Sequence, residues 1–195
     1  MTPAVAPRVM TMDEYLAHDE GTDTRYELVN GELVEMPVES QMNALIARFL
    51  LLELLKHFSM EMLAYKDTEI EVAGRRAISR LPELMVHSEE SHAALVGAKR
   101  AILLRDMPPP ALVIEVVSPG QENRDRDYRH KRTEYAARGI EEYWIIDPET
   151  QQVTVCLWVN GQYEDTVYAG DTPIKSTIVP GINLSPVQIL EFGQK

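Results

Sequence analysis

Ala111-Leu112-Val113-Ile114-Glu115-Val116-Val117-Ser118-Pro119 is a nearly unbroken hydrocarbon run, rich in β-branched residues and interrupted by one acid. Such a run predicts a strand buried on both faces. Side-chain alternation puts Val113, Glu115 and Val117 on one face and Leu112, Ile114 and Val116 on the other, so Glu115 is enclosed by hydrocarbon. An ionised acid there needs a metal ion, a basic side chain or a raised pKa. Pro119 ends the strand, and Asp125-Arg126-Asp127-Tyr128-Arg129-His130-Lys131-Arg132-Thr133-Glu134-Tyr135 follows as a polar helical pattern with five basic residues, His130 included. The expectation is a carboxylate at the carboxyl end of a central strand, faced by cations from the next element. A purely structural ion pair fits the same residues.

The 195 residues and 45% hydrophobic content suit one domain with a substantial core. We expect a flexible tail over 1–10 and a single domain over 11–195. Lys and Arg total 19 against 31 Asp and Glu, a net charge of −12. That balance excludes a protein that coats nucleic acid through bulk charge, so any phosphate site must be local. Cys156 is the only cysteine, which excludes an internal disulfide and a thiolate zinc cluster and suits a cytoplasmic location. Met1 to Val9 lacks the apolar segment of a signal peptide. The most apolar helical stretch, Ala44 to Leu55, is broken by Arg48 and Glu53 and falls short of the roughly 20 residues that cross a bilayer.

Thr11-Met12-Asp13-Glu14 is a capping box that predicts a short helix from Thr11, fraying by Gly21. Tyr26 to Val34 holds two alternating runs joined by Asn30-Gly31, a hairpin signal that sets Leu28 opposite Leu33 and Glu27 opposite Val34. Met42, Leu45, Ile46, Phe49 and Leu50 recur at helical spacing, predicting a long helix over Ser40 to His57. Thr68 to Val72 alternates as a half-buried strand with a turn at Gly74-Arg75-Arg76, and a second strand is expected over Ile78 to Val86, with Pro82 near its start. Glu83, beside Leu84, Met85 and Val86, is the second acid set in hydrocarbon. A short helix is expected over Ala93 to Ala98. The basic helix should run from about Asp125 to Arg138-Gly139, with Tyr128, Lys131, Tyr135 and Arg138 on one side. Glu141 to Pro148 predicts a strand, Asn160-Gly161 a second hairpin after Val153 to Val159, and Leu190-Glu191-Phe192 a closing helix.

The strand, helix and strand from Ala111 to Ile146 imply a parallel pair inside a mixed sheet. If the segments bearing Glu83 and Glu115 lie side by side, their carboxylates meet and repel, and a shared proton or a divalent cation relieves them. The five histidines form no HExxH pair, so a metal would take oxygen ligands, most plausibly Mg²⁺ or Mn²⁺. A lysine reaching the same point from the following helix completes a set suited to phosphodiester hydrolysis.

Several segments together resemble the Uma-type family of restriction endonucleases in the PD-(D/E)XK nuclease superfamily. They are Arg25 to Leu33, Arg80-Leu81-Pro82-Glu83, Val113 to Pro119, Lys131 with Tyr135, Ala137 to Pro148 and Val179-Pro180-Gly181. The resemblance implies an α+β restriction-endonuclease-like fold: a central mixed β-sheet flanked by helices, with extra N-terminal and C-terminal β-hairpins. It implies that Glu83 stands at the metal-binding aspartate, that Glu115 is the second metal carboxylate and that the Val116 carbonyl joins them. The lysine often found two residues past the acid is replaced by Val117, and Lys131 supplies it from the next helix. Glu27 matches a position lining the same region as an extra ligand or base, and Asn43 stands where the family often has histidine.

The leading expectation is a Mg²⁺- or Mn²⁺-dependent DNA endonuclease, a homodimer by resemblance, with Glu83, Glu115, Lys131 and Glu27 as catalytic residues. Arg124, Arg126, Arg129 and Arg132 are candidate phosphate contacts, or else a solvated face balanced by Asp125, Asp127 and Glu134. Two departures bear on activity, Glu83 for aspartate and Asn43 for histidine; the substitution at Glu83 and the net charge of −12 favour the alternative of a weakened or inactive member acting as a binding or assembly module. Glycoside hydrolysis is a poorer fit, because three Phe and two Trp leave little for sugar stacking.

Overall fold

The computed structural model describes residues 9–18, 26–36, 38–74 and 78–192. Helix α1 (Met12–Leu16) starts on the expected capping box: Glu14 N–H donates to Thr11 Oγ1 at 3.2 Å and Thr11 N–H to Glu14 Oε2 at 2.9 Å. Its expected fraying point, Gly21, lies outside the described residues, as do residues 1–8 of the expected tail and Arg25. Strands β1 (Tyr26–Val29) and β2 (Glu32–Glu35) form the first hairpin with Leu28 opposite Leu33 and Glu27 opposite Val34. The turn has Asn30 at φ 52° and Gly31 at φ 83°. Only glycine fits there, since a Cβ on residue 31 would stand 2.5 Å from Val9 Cγ1.

Ser40 caps α2 (Gln41–Leu54) by accepting the Asn43 N–H at 3.1 Å, and α2 buries Ile46, Leu50 and Leu54. A 3₁₀ turn (Met60–Met62) leads to β3 (Leu63–Ala64) and then β4 (Glu69–Val72), whose buried residues alternate as expected. Arg75 and Arg76 of the expected turn lie outside the described residues. The single strand expected over Ile78 to Val86 is two: β5 (Ile78–Arg80) and β6 (Leu84–Val86) belong to different sheets. Pro82, lacking an amide hydrogen, interrupts the ladder where the chain passes between them.

Next come α3 (Glu89–Leu95), β7 (Ile102–Leu103) and β8 (Leu112–Val116). Helix α3 starts earlier than expected because Ser88 caps it, accepting the Ser91 N–H at 3.0 Å. The basic helix also starts early. It comprises α4 (Gln121–Asp125), a π-helical turn (Arg126–Lys131) and α5 (Arg132–Arg138), and its N-cap, Gly120, offers no side chain that the sequence pattern would reveal. Gly139 stops it at φ 79°. Strands β9 (Glu142–Asp147), β10 (Gln152–Val159) and β11 (Gln162–Ala169) and helix α6 (Pro186–Phe192) complete the chain, with β10 and β11 joined through Asn160-Gly161.

The strands form two mixed sheets, ordered β2-β1-β5-β4-β7 and β11-β10-β9-β8-β6-β3. Pairing is antiparallel except for β4 with β7 and β8 with β9, so the expected parallel pair is present. The α+β class, with mixed sheets flanked by helices, holds, and the N-terminal hairpin lies in the first sheet. Alternation along β8 divides the core. Leu112, Ile114 and Val116 pack with α2, Trp144 and α6, whereas Val113 and Val117 pack with Met85, Tyr135, Tyr143 and Ile145. No described helix is long and apolar enough to cross a membrane.

Ile114 is 1% exposed at the centre of that core. Ile114→Ala should cost about 2–5 kcal/mol in denaturant unfolding. A loss under about 1 kcal/mol would contradict a close-packed double-sided sheet.

Candidate active site

Strands β6 and β8 are antiparallel neighbours with Leu84 opposite Ile114 and Met85 opposite Val113. One step along that register brings Glu83 opposite Glu115. The carboxylate of Glu83, at the crossing between sheets, reaches across to β8, where Val116 N–H donates to its Oε2 at 3.0 Å. Burial and the neighbouring charges of Glu115 and Glu39 push the Glu83 carboxyl well above its ordinary range, against the pull of Lys66.

Lys131 comes from the π-helical turn and is 4% exposed. Its Nζ lies 2.8 Å from Glu115 Oε1 and 3.3 Å from Asp127 Oδ1. Burial disfavours the ammonium, but Glu115, Asp127 and Glu27 outweigh it, so its pKa is raised and Lys131 stays a cation at neutral pH. Glu115 Oε1 also accepts from Tyr135 Oη at 2.9 Å. The expected one-sided stripe on this helix is divided. Lys131 and Tyr135 face Glu115, Tyr128 Oη donates to Asp147 at 3.1 Å, and Arg138 donates to the carbonyls of Leu104 and Met107. The π turn resets the phase of the helix between Tyr128 and Tyr135, which the α-helical spacing does not anticipate.

Glu27 is buried on β1, and both of its oxygens are engaged. Oε2 accepts from Arg80 Nη1 at 2.9 Å and Oε1 from Leu81 N–H at 3.3 Å. Burial raises its pKa, but Lys131, Arg80 and these hydrogen bonds together bring it below its ordinary value. Arg80 also forks onto Glu134 through Nε at 2.8 Å and Nη2 at 2.9 Å, tying the hairpin, the segment bearing Glu83 and the helix bearing Lys131 together. Arg80 and Asp127 were not identified as site residues from sequence. For Asp127 the signal is the four-residue spacing to Lys131; for Arg80 it is its place in the segment Arg80-Leu81-Pro82-Glu83.

Glu27, Glu83, Glu115, Val116 and Lys131 all line one cavity of about 550 Å³, joined by Asp127, Arg126, Lys66 and Glu39 and by the apolar side chains of Val34, Met36 and Val38. Asn43 sits behind it: its Nδ2 donates to the carbonyls of Val116 and Val117, each at 3.3 Å. The described residues contain no set of three or more His, Cys, Asp or Glu side chains arranged around one metal position. The available donors are the Glu83 and Glu115 carboxylates and the Val116 carbonyl, and they fit a hard cation, since magnesium commonly uses one or two carboxylates and keeps several waters. Burial first, and then the charge of Glu115, disfavours the Glu83 carboxylate, and a cation between the two acids would neutralise that charge.

Residues 12–187 match a family model, Uma2, described as "Putative restriction endonuclease". The structure resembles a crystal structure described as "a putative nuclease belonging to DUF820", from Anabaena variabilis ATCC 29413, with a TM-score of 0.70 and 17% identity. The likeness covers 94% of this chain and 99% of that one. At that identity the match establishes the fold. No curated protein matches.

A carboxyl whose pKa is raised on folding binds more protons in the native than in the unfolded state, so stability falls as pH rises from about 4.5 toward the folded value. Glu83→Gln keeps an acceptor for Val116 N–H and removes that penalty. The metal-free variant should therefore match wild type near pH 4 and be more stable at pH 8 by urea unfolding; equal stability at both pH values would contradict the raised carboxyl.

Proposed function

This chain belongs to the Uma2 family, and from that premise we propose that it is a divalent-metal-dependent DNA endonuclease whose domain spans 11–195. The observation that carries the reading is the convergence of Glu83, Glu115 and Lys131, from three separated segments, on one cavity. Glu83, Glu115 and the Val116 carbonyl hold Mg²⁺ or Mn²⁺. Bound there, the cation supplies Lewis-acid stabilisation of charge on the phosphate and lowers the pKa of an attacking water.

The remaining work falls to the side chains. Lys131, kept charged by its carboxylate neighbours, donates hydrogen bonds and positive charge toward the phosphate and orients the nucleophile; it has no lone pair with which to accept a proton. Tyr135 and Asp127 fix the directions of Glu115 and Lys131. Glu27 is an extra ligand or base when it leaves Arg80, and otherwise orders the Arg80 fork. The homodimer belongs to the same proposal.

Supercoiled plasmid with Mg²⁺ or Mn²⁺ tests it. Wild type should nick or linearise the plasmid, and Glu115→Ala and Lys131→Ala should each lower the rate about 100-fold or more, the usual scale for removing a charge-stabilising group. Equal cutting by all three would mark a contaminant. A wild type that binds metal in calorimetry but never cuts would favour the non-catalytic alternative.

A further inference from the structure

Three cations line the cavity: Lys66, Arg126 and Lys131. Lys131 is bound by Glu115 and Asp127, and Lys66 by Glu39. Arg126 differs. Among the described residues its nearest acid is Asp127, whose Oδ1 lies 3.6 Å from Nε as an ion pair without a hydrogen bond, and both atoms are buried with no hydrogen-bond partner. Of the other arginines of the helical run, Arg124 pairs with Asp147, Arg132 with Asp165 at 2.8 Å, Arg138 donates to the Leu104 and Met107 carbonyls, and Arg129 lies 3.5 Å from Asp125 outside the cavity lining. Arg129 is also 75% exposed in its side chain. Arg126 is thus the member of this run, among the described residues, whose guanidinium faces the cavity without a hydrogen-bonded acid.

The backbone explains the placement. In an α-helix residues five apart do not share a face. Arg126 and Lys131 open and close the π-helical turn, whose i→i+5 bonding brings such residues into line, and both reach the same cavity. A buried donor without a partner carries a desolvation cost that an arriving acceptor removes. A planar guanidinium suits a phosphate, which it can meet through two parallel hydrogen bonds.

We propose that Arg126 is a substrate-binding residue that grips a backbone phosphate of the nucleic-acid strand, beside the phosphate that faces Lys131. The inference rests on the nuclease reading for its substrate class. It does not need cleavage, so the two can fail separately.

The test is fluorescence anisotropy of a labelled DNA duplex in Ca²⁺ across a salt series, for wild type, Arg126→Met, Arg126→Lys and Arg129→Met, with folding of each variant checked by circular dichroism. Losing one phosphate contact should reduce the slope of log affinity against log salt by about 0.9 in Arg126→Met. Arg126→Lys should keep the slope, and Arg129→Met should match wild type. An unchanged slope in Arg126→Met, the same drop in Arg129→Met, or no binding by wild type would overturn the proposal. So would Arg126-dependent binding of inorganic phosphate without any of the duplex, which would make the group a free-phosphate site. A normal Arg126-dependent slope in a protein that never cuts plasmid would leave this assignment standing and defeat the endonuclease reading.

Discussion

The buried pairing of Glu115 with Lys131 is the constraint around which the chain is arranged. Glu115 is 3% exposed and Lys131 4%, so neither charge is stabilised by water, and each depends on the other and on Tyr135 and Asp127. Breaking such a pair is costly because it strands a charge in hydrocarbon, whereas forming it confers little net stability over apolar packing. Beneath the cavity the pair therefore contributes position more than stability. The Arg80 fork repeats the pattern, joining Glu27 of one sheet to Glu134 of the helix. Together the two networks link hairpin, crossing segment and helix, and Glu27, Glu115, Asp127 and Lys131 of these networks line the cavity.

Much of this was legible because the local patterns were strong. The alternation of β8 gave the two core faces, Asn30-Gly31 gave the hairpin register residue for residue, and the isolated acids at 83 and 115 announced buried carboxylates. Residues in different sheets were harder. Nothing local marks Ile78 to Val86 as crossing between two sheets, because Pro82 is as compatible with an edge strand as with a break. That crossing is what puts Arg80 against Glu27 while Glu83 faces Glu115.

The helical run shows a different limit. Spacing arguments assume 3.6 residues per turn, and between Arg126 and Lys131 the backbone does not obey that period. An α-helical projection therefore grouped Tyr128 with Lys131, and it treated Asp127 as a surface counter-charge although only 1% of it is exposed. The solvated-face interpretation suits Arg129 with Asp125 and fails four residues from Lys131, where burial converts the same residue type into part of the site. Sequence polarity alone cannot separate these fates, since both are written as acids and bases alternating along a helix.

The cavity's charge governs what can enter it. Glu27, Glu35, Glu39, Glu83, Glu115 and Asp127 line it against Lys66, Arg126 and Lys131, so it carries a surplus of acids in a chain whose net charge is already −12. A polyanion approaching such a surface meets repulsion at long range and in the pocket alike. In the proposed endonuclease, a phosphate that reaches Lys131 needs part of this surplus cancelled, and burial together with the charges of Glu115 and Glu39 pushes the Glu83 carboxyl toward its neutral form. A divalent cation held by Glu83 and Glu115 would offset their two negative charges and so reduce the repulsion that a phosphate meets there. In the proposed endonuclease, metal occupancy and substrate binding would then be coupled through the same two carboxylates.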